Sequence, residues 1–136
     1  MKKAGKAGLS KGYLFMHRPD SIHIIADFSG CQPGTLETSS AGESVLAEAI
    51  KESGLSCIQI KSHQFDPTGY TAAALLAESH ITLHTWPEFL AVQIDIFTCG
   101  DHEKARKAYG VLKQFFVPHH VAERVLHRDL QHISLA

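Results

Sequence analysis

Between Leu76 and Glu88 the chain reads LAESHITLHTWPE, placing Glu78, Ser79, His80 and His84 in an otherwise apolar run. Polar groups buried without partners cost free energy, so their presence in a segment that alternates like a strand calls for a chemical account. His80 and His84 stand at i and i+4, which on a helix would suggest a zinc pair. Along a strand that spacing spans roughly 13 Å, too far for both rings to reach one ion without a bend. The glutamate that follows the first histidine of a metalloprotease helix is missing as well, so no metal is expected. Ser79 beside a histidine is the pairing of a hydrolase nucleophile with its base, yet no G-x-S-x-G elbow surrounds it. Cys99 lies between an apolar strand and the start of a helix. There the thiol is either a small buried hydrophobe or a proton-moving group tuned by the helix N-terminus. Taken singly, Phe65 reads as core, Asp95 as a satisfied strand carboxylate, and His119, His120, His127 and His132 as solvated or interface residues.

The elements that must position these groups follow from periodicity. SIHIIADF (21–28) reads as a strand ended by the turn-like SGCQPG. A helix follows, capped by Thr38, Ser39 or Ser40, with Val45, Leu46, Ala49 and Ile50 as its apolar stripe and Gly54 as its stop. CIQIKSHQF (57–65) alternates as a half-buried strand, and Asp66-Pro67-Thr68-Gly69 is a turn by composition. YTAAALLAES and HITLHTW flank a break at Glu78–Ser79, and LAVQIDIF (90–97) is a strand with one polar face. Asp101 caps a second helix, on which Ala105, Ala108, Tyr109, Leu112, Phe115 and Phe116 recur at helical spacing until Pro118. A last strand is expected near Val121–Leu126. The order is β-α-β-β-β-α-β. Two helices cannot cover both faces of such a sheet, so an α+β domain is predicted, an antiparallel β-sheet with two helices packed on one face. The open face would need a partner, and a homodimer by sheet-on-sheet packing, an αββα sandwich, is expected.

The bulk numbers narrow the class further. A chain of 136 residues is long enough for one domain. The lysine- and glycine-bearing residues 1–20 are read as a flexible leader, and 21–136 as the single domain. A formal net charge of −1 gives no global field for nucleic acid or an anionic membrane. No apolar run approaches a membrane span or a signal-peptide core. Cys31, Cys57 and Cys99 are odd in number and form no C-x-x-C, which supports free thiols and a reducing, cytoplasmic location.

Taken together, HIIADFSGC (23–31), HQFDPTGYT (63–71), AESHITLHTWPE (77–88) and IDIFTCG (94–100) resemble the prokaryotic S-adenosylmethionine decarboxylases. The likeness runs over roughly residues 21 to 115 in consistent order and spacing. It implies a self-processing proenzyme. The Ser79 hydroxyl attacks the Glu78 carbonyl and shifts the amide to an ester. β-Elimination then releases a β chain, 1–78, and leaves dehydroalanine, which loses ammonia to give a pyruvoyl group at the head of an α chain, 79–136. His84 matches the family's processing proton acceptor and Thr71 its supporting hydroxyl. The pyruvoyl ketone condenses with the substrate amine as a Schiff base and acts as electron sink, so neither a metal nor an added cofactor is implied. By the same matching Cys99 protonates the resulting carbanion, Phe65 stacks on adenine and Glu88 accepts hydrogen bonds from the ribose.

The chain departs from the family pattern in two places. Leu90-Ala91-Val92-Gln93 stands where Gly-Tyr-Ala-Ala is usual, and Ser21 where glycine is common. Neither change touches the processing or protonation groups, though both border substrate binding. The resemblance therefore implies a carboxy-lyase that supplies decarboxylated S-adenosylmethionine for spermidine synthesis. The alternatives are a pyruvoyl-dependent L-ornithine or L-arginine decarboxylase, with Asp66 pairing the cation, and a non-catalytic regulatory homologue. Retention of Phe65 and Glu88 favours S-adenosylmethionine, and retention of Ser79, His84 and Cys99 favours an active enzyme.

Overall fold

The computed structural model describes residues 20–130; residues 1–19, most of the expected leader, and residues 131–136, with His132, lie outside the described residues. Strand β1 spans Asp20–Ser29, so Asp20 belongs to the domain rather than to the leader. It is followed by helix α1 (Ser39–Ser53), β2 (Cys57–Gln64), β3 (Tyr70–Leu76), β4 (Ser79–Trp86), a single 3₁₀ turn (Pro87–Phe89), β5 (Ala91–Thr98), α2 (His102–Phe116) and β6 (His120–Asp129). The strands form one sheet in the order β2-β3-β4-β5-β1-β6, with every neighbouring pair antiparallel.

This is the predicted α+β class with one strand more between the helices than expected. Residues 70–86 fold as two strands joined by the turn Ala77–Glu78, with Leu76 opposite Ser79. The extra strand hides in the sequence because Ala72, Ala73 and Ala74 present no contrast between faces. On β1 the contrast is plain: Ile22, Ile24, Ala26 and Phe28 are buried, while His23, Ile25 and Asp27 lie on the other face.

The buried face meets both helices. Val45, Leu46, Ala49 and Ile50 of α1 and Ala105, Ala108, Tyr109, Leu112 and Phe116 of α2 close the core, with Phe115 partly buried against it. At Gly42 a Cβ would sit 2.2 Å from the Tyr70 ring, so glycine is what lets α1 approach β3. The Tyr70 hydroxyl donates to the Thr35 carbonyl at 2.9 Å, and its burial pushes the phenol pKa up. Thr85 satisfies the same layer: its hydroxyl oxygen accepts the Tyr70 N–H and its O–H donates to the Leu36 carbonyl, both at 2.8 Å.

The helix ends follow the predicted signals in part. Asp101 caps α2 by accepting the Glu103 N–H at 2.8 Å, and Gly54 ends α1 in the left-handed region at φ 82°. Thr38 occupies the N-cap of α1 but makes no side-chain cap bond; Gln64 Oε1 accepts the Ser39 N–H instead, at 2.7 Å. A distant side chain thus does the work expected of a local one. Leu90 also adopts the left-handed region, at φ 51°. That conformation costs an L-residue roughly 1–2 kcal/mol, a cost that glycine would not bear.

Candidate active site

Ser79 opens β4 directly after the Ala77–Glu78 turn, pairing with Leu76 on one side and Thr98 on the other. Its Oγ is buried and is the only such side-chain nitrogen or oxygen among the described residues to lack a hydrogen-bond partner. An unsatisfied buried hydroxyl is expensive, and such groups cluster where chemistry is done. The adjoining Glu78 carbonyl accepts the Cys99 N–H at 3.2 Å. A donor aimed at a carbonyl oxygen stabilises the negative charge that builds there when a nucleophile adds to the carbon. Gly100 makes room for the same residue, since a Cβ there would lie 3.3 Å from Glu78 Oε2. The Cys99 thiol itself is exposed, and its sulfur takes the Ser21 O–H at 3.5 Å.

Glu78, Ser79 and Cys99 are therefore brought together from β4 and the end of β5. The other sequence candidates are not at this end of the sheet. His84 lies five residues along β4, roughly 16 Å away by strand rise. Strand alternation puts its side chain on the face opposite to that of Ser79. There it pairs across β3 with Thr71, whose hydroxyl lies 3.3 Å from His84 Nδ1. Phe65 is exposed in the β2–β3 turn, edge-on to His63 at 4.9 Å, and Glu88 sits in the 3₁₀ turn that follows β4. At this second end a hollow is lined by Asp27, Trp86, Phe89, Gln93 and Val121. Gln93, one of the departures from the family pattern, accepts the Trp86 indole N–H at 3.1 Å. The candidate residues thus fall into two groups, with Glu78, Ser79 and Cys99 at one end of the sheet and Phe65, Thr71, His84 and Glu88 at the other.

Sequence reasoning gave no role to a further group on the open face beside Cys99, namely His23, His80, Asp95, Phe97 and Arg128. The residue types were visible, but they come from four strands, and only cross-strand register joins them. His80 and His84 have separate partners, Asp95 and Thr71, and among the described residues no three His, Cys, Asp or Glu side chains gather as a metal-binding group.

A two-layer α+β domain whose hairpin tip holds a buried, unpartnered serine against a polarised carbonyl is the class that fold and site define. The family model for S-adenosylmethionine decarboxylase matches residues 22–129. The S-adenosylmethionine decarboxylase proenzyme of Methanococcus maripaludis is 40% identical over 96 residues, covering 71% of this chain and 79% of the relative. That of Picrophilus torridus is 39% identical over 110 residues, covering 81% and 85%. The crystal structure of the adenosylmethionine decarboxylase from Aquifex aeolicus superposes with a TM-score of 0.78 at 32% identity, covering 82% of this chain and 92% of that one. The chain belongs to the S-adenosylmethionine decarboxylase family.

Proposed function

We propose that the chain is a self-processing, pyruvoyl-dependent S-adenosylmethionine decarboxylase, cleaved between Glu78 and Ser79. The observation that carries this reading is the buried Ser79 Oγ without a partner, next to a Glu78 carbonyl that already accepts a backbone N–H. Attack of Oγ on that carbon forms an ester and breaks the C–N bond, and the Cys99 N–H stabilises the oxyanion. Loss of a proton from Cα of residue 79 then breaks the Cβ–Oγ bond and releases the Glu78 carboxylate. Tautomerisation and hydrolysis of the dehydroalanine expel ammonia.

The chain's own residues fit the group so made. A pyruvoyl ketone supplies an electron sink for loss of carbon dioxide. Cys99, exposed beside residue 79, delivers the proton to the substrate carbon. Phe65 and Glu88 hold the adenosine by stacking and by hydrogen bonds to the ribose hydroxyls.

The separation of the two groups of candidate residues supports a homodimer. His84 cannot reach Ser79 along its own strand. Two open faces packed about a two-fold axis, each chain's Ser79 end on the other's His84 end, make two complete sites and bury Ile25, Leu75, Trp86 and Leu126, all exposed in the single chain. The result is the αββα sandwich. Free Cys31, Cys57 and Cys99 support a cytoplasmic setting, and among the described residues no helix is long and apolar enough to cross a membrane.

Mass spectrometry of the purified protein should find chains ending at Glu78 and beginning at residue 79; a single intact chain overturns self-processing. Carbon dioxide release should be seen with S-adenosylmethionine, and activity confined to ornithine or arginine overturns the substrate. Co-expression of Ser79→Ala with His84→Ala chains tests the shared sites. One intact site per mixed dimer should restore cleavage of the Ser79-bearing chain, and no restoration overturns the arrangement.

A further inference from the structure

We propose that Asp95, bridging His23 and His80, is a positioning residue that holds the strand end carrying residue 79 once the Glu78–Ser79 bond is broken. The proposal rests on the self-processing reading and deepens it.

Before cleavage, residue 79 is held covalently by the Ala77–Glu78 turn as well as by the ladder of β3 and β5. Cleavage removes the turn and leaves a chain terminus, and termini fray unless tied down. His80 is the next residue, and its side chain contacts two residues of β5. Its Nε2 lies 3.7 Å from Asp95 Oδ2, and its ring stacks on Phe97 with centroids 5.7 Å apart and planes inclined by 29°.

Asp95 is itself oriented from two strands further across the sheet. Its Oδ1 accepts a hydrogen bond from His23 Nε2, while Arg128 Nη1 lies 3.2 Å from His23 Nδ1. A guanidinium only donates, so His23 Nδ1 must accept and the ring proton sits on Nε2, aimed at Asp95. The contacts converge on Asp95, from Arg128 through His23 on one side and from His80 on the other, and join β6, β1, β5 and β4. Phe97 is packed among them, with the His23 ring edge-on at 5.4 Å and the Arg128 guanidinium 5.1 Å from its centroid.

Bulk stability does not explain this arrangement. Within one chain the His80 and Asp95 side chains are 41% and 38% exposed, and a pair so exposed contributes little to the folding of that chain. What these contacts do accomplish is to hold the side chain that follows residue 79, on the same face as Cys99. Small misplacements of a reacting group cost far more in rate than in stability.

The test uses full-length Asp95→Ala, His23→Ala and His23→Gln, with chain masses, steady-state kinetics on the cleaved protein, and amide hydrogen exchange over residues 80–83. Asp95→Ala should still cleave, with exchange of these amides faster by about tenfold. Its kcat should fall by roughly ten- to a hundredfold, with KM within about twofold. His23→Gln, which retains a donor at the Nε2 position, should recover most of the turnover lost in His23→Ala. Unchanged exchange over 80–83 overturns the proposal. So does a rise in KM at constant kcat, which assigns Asp95 to substrate binding, or a folded variant that fails to cleave, which assigns it to processing. Should Asp95→Ala not fold, His80→Gln carries the same measurements. Failure of the unsubstituted protein to cleave is a failure of the self-processing reading, and is seen before any variant is made.

Discussion

The two faces of the sheet are built from the same strands and differ in nearly everything else. On β1, β4 and β5 the helix-covered face carries Ile22, Ile24, Phe28, Ile81, Leu83, Val92, Ile94 and Ile96, all buried. The open face of those strands carries His23, His80, His84, Asp95, Gln93 and Trp86, joined by hydrogen bonds, ion pairs and ring contacts. One face supplies folding free energy through apolar burial. The other keeps polar groups organised and accessible, which a second sheet or a substrate can exploit. Strand alternation lets a small domain do both, because each residue committed to the core leaves its neighbour free.

Several substitutions would sharpen or break this division. The largest effect is expected at Ser79→Ala: no cleavage by mass spectrometry and no carbon dioxide release, in a protein that still melts cooperatively. Cys99→Ala should cleave and then decarboxylate slowly, with kcat lower by roughly 10²- to 10⁴-fold, the usual contribution of a positioned acid; normal turnover would remove Cys99 as the proton donor. Leu83→Ala, on the covered face, should cost about 2–5 kcal/mol by chemical denaturation, whereas its neighbour Thr82→Ala on the open face should stay within about 0.5 kcal/mol. Equal losses at these adjacent positions would break the comparison. Leu90→Gly should raise stability by up to about 1 kcal/mol by relieving the left-handed backbone, and a loss would show that the exposed Leu90 side chain makes up for its strain. The smallest effect concerns thiols. Burial pushes the Cys31 thiol up to about 11, above its ordinary value of 9.0. At pH 8 it therefore holds less thiolate than an ordinary cysteine, and alkylation should label the exposed Cys57 and Cys99 first.

The depth to which the fold could be read varied with local contrast. β1 and β5 were legible because branched apolar residues alternate with polar ones, and α2 because its stripe is bounded by Asp101 and Val117–Pro118. β3 was not, since a run of alanines has no faces to compare. Cys99 and Ser79 were recognisable only through the motif around them, because a lone cysteine and a lone serine most often have ordinary structural roles. Asp95 illustrates the opposite limit. Its reading as a satisfied strand carboxylate is correct in that it has partners, but those partners lie 72 and 15 positions away in sequence.

By itself, then, the sequence determined the family, the α+β class, most of the elements, and the residue types at Glu78–Ser79 on which the proposal of self-processing rests. These depend on short-range spacing, which a strand or helix converts directly into a face. Tertiary structure alone decided that Thr71 meets His84, that the Cys99 N–H meets the Glu78 carbonyl, and that His80 acquires Asp95. Those facts depend on which strands are neighbours and in what register. That choice is made by long-range pairing and core burial, and no local run of residues records it.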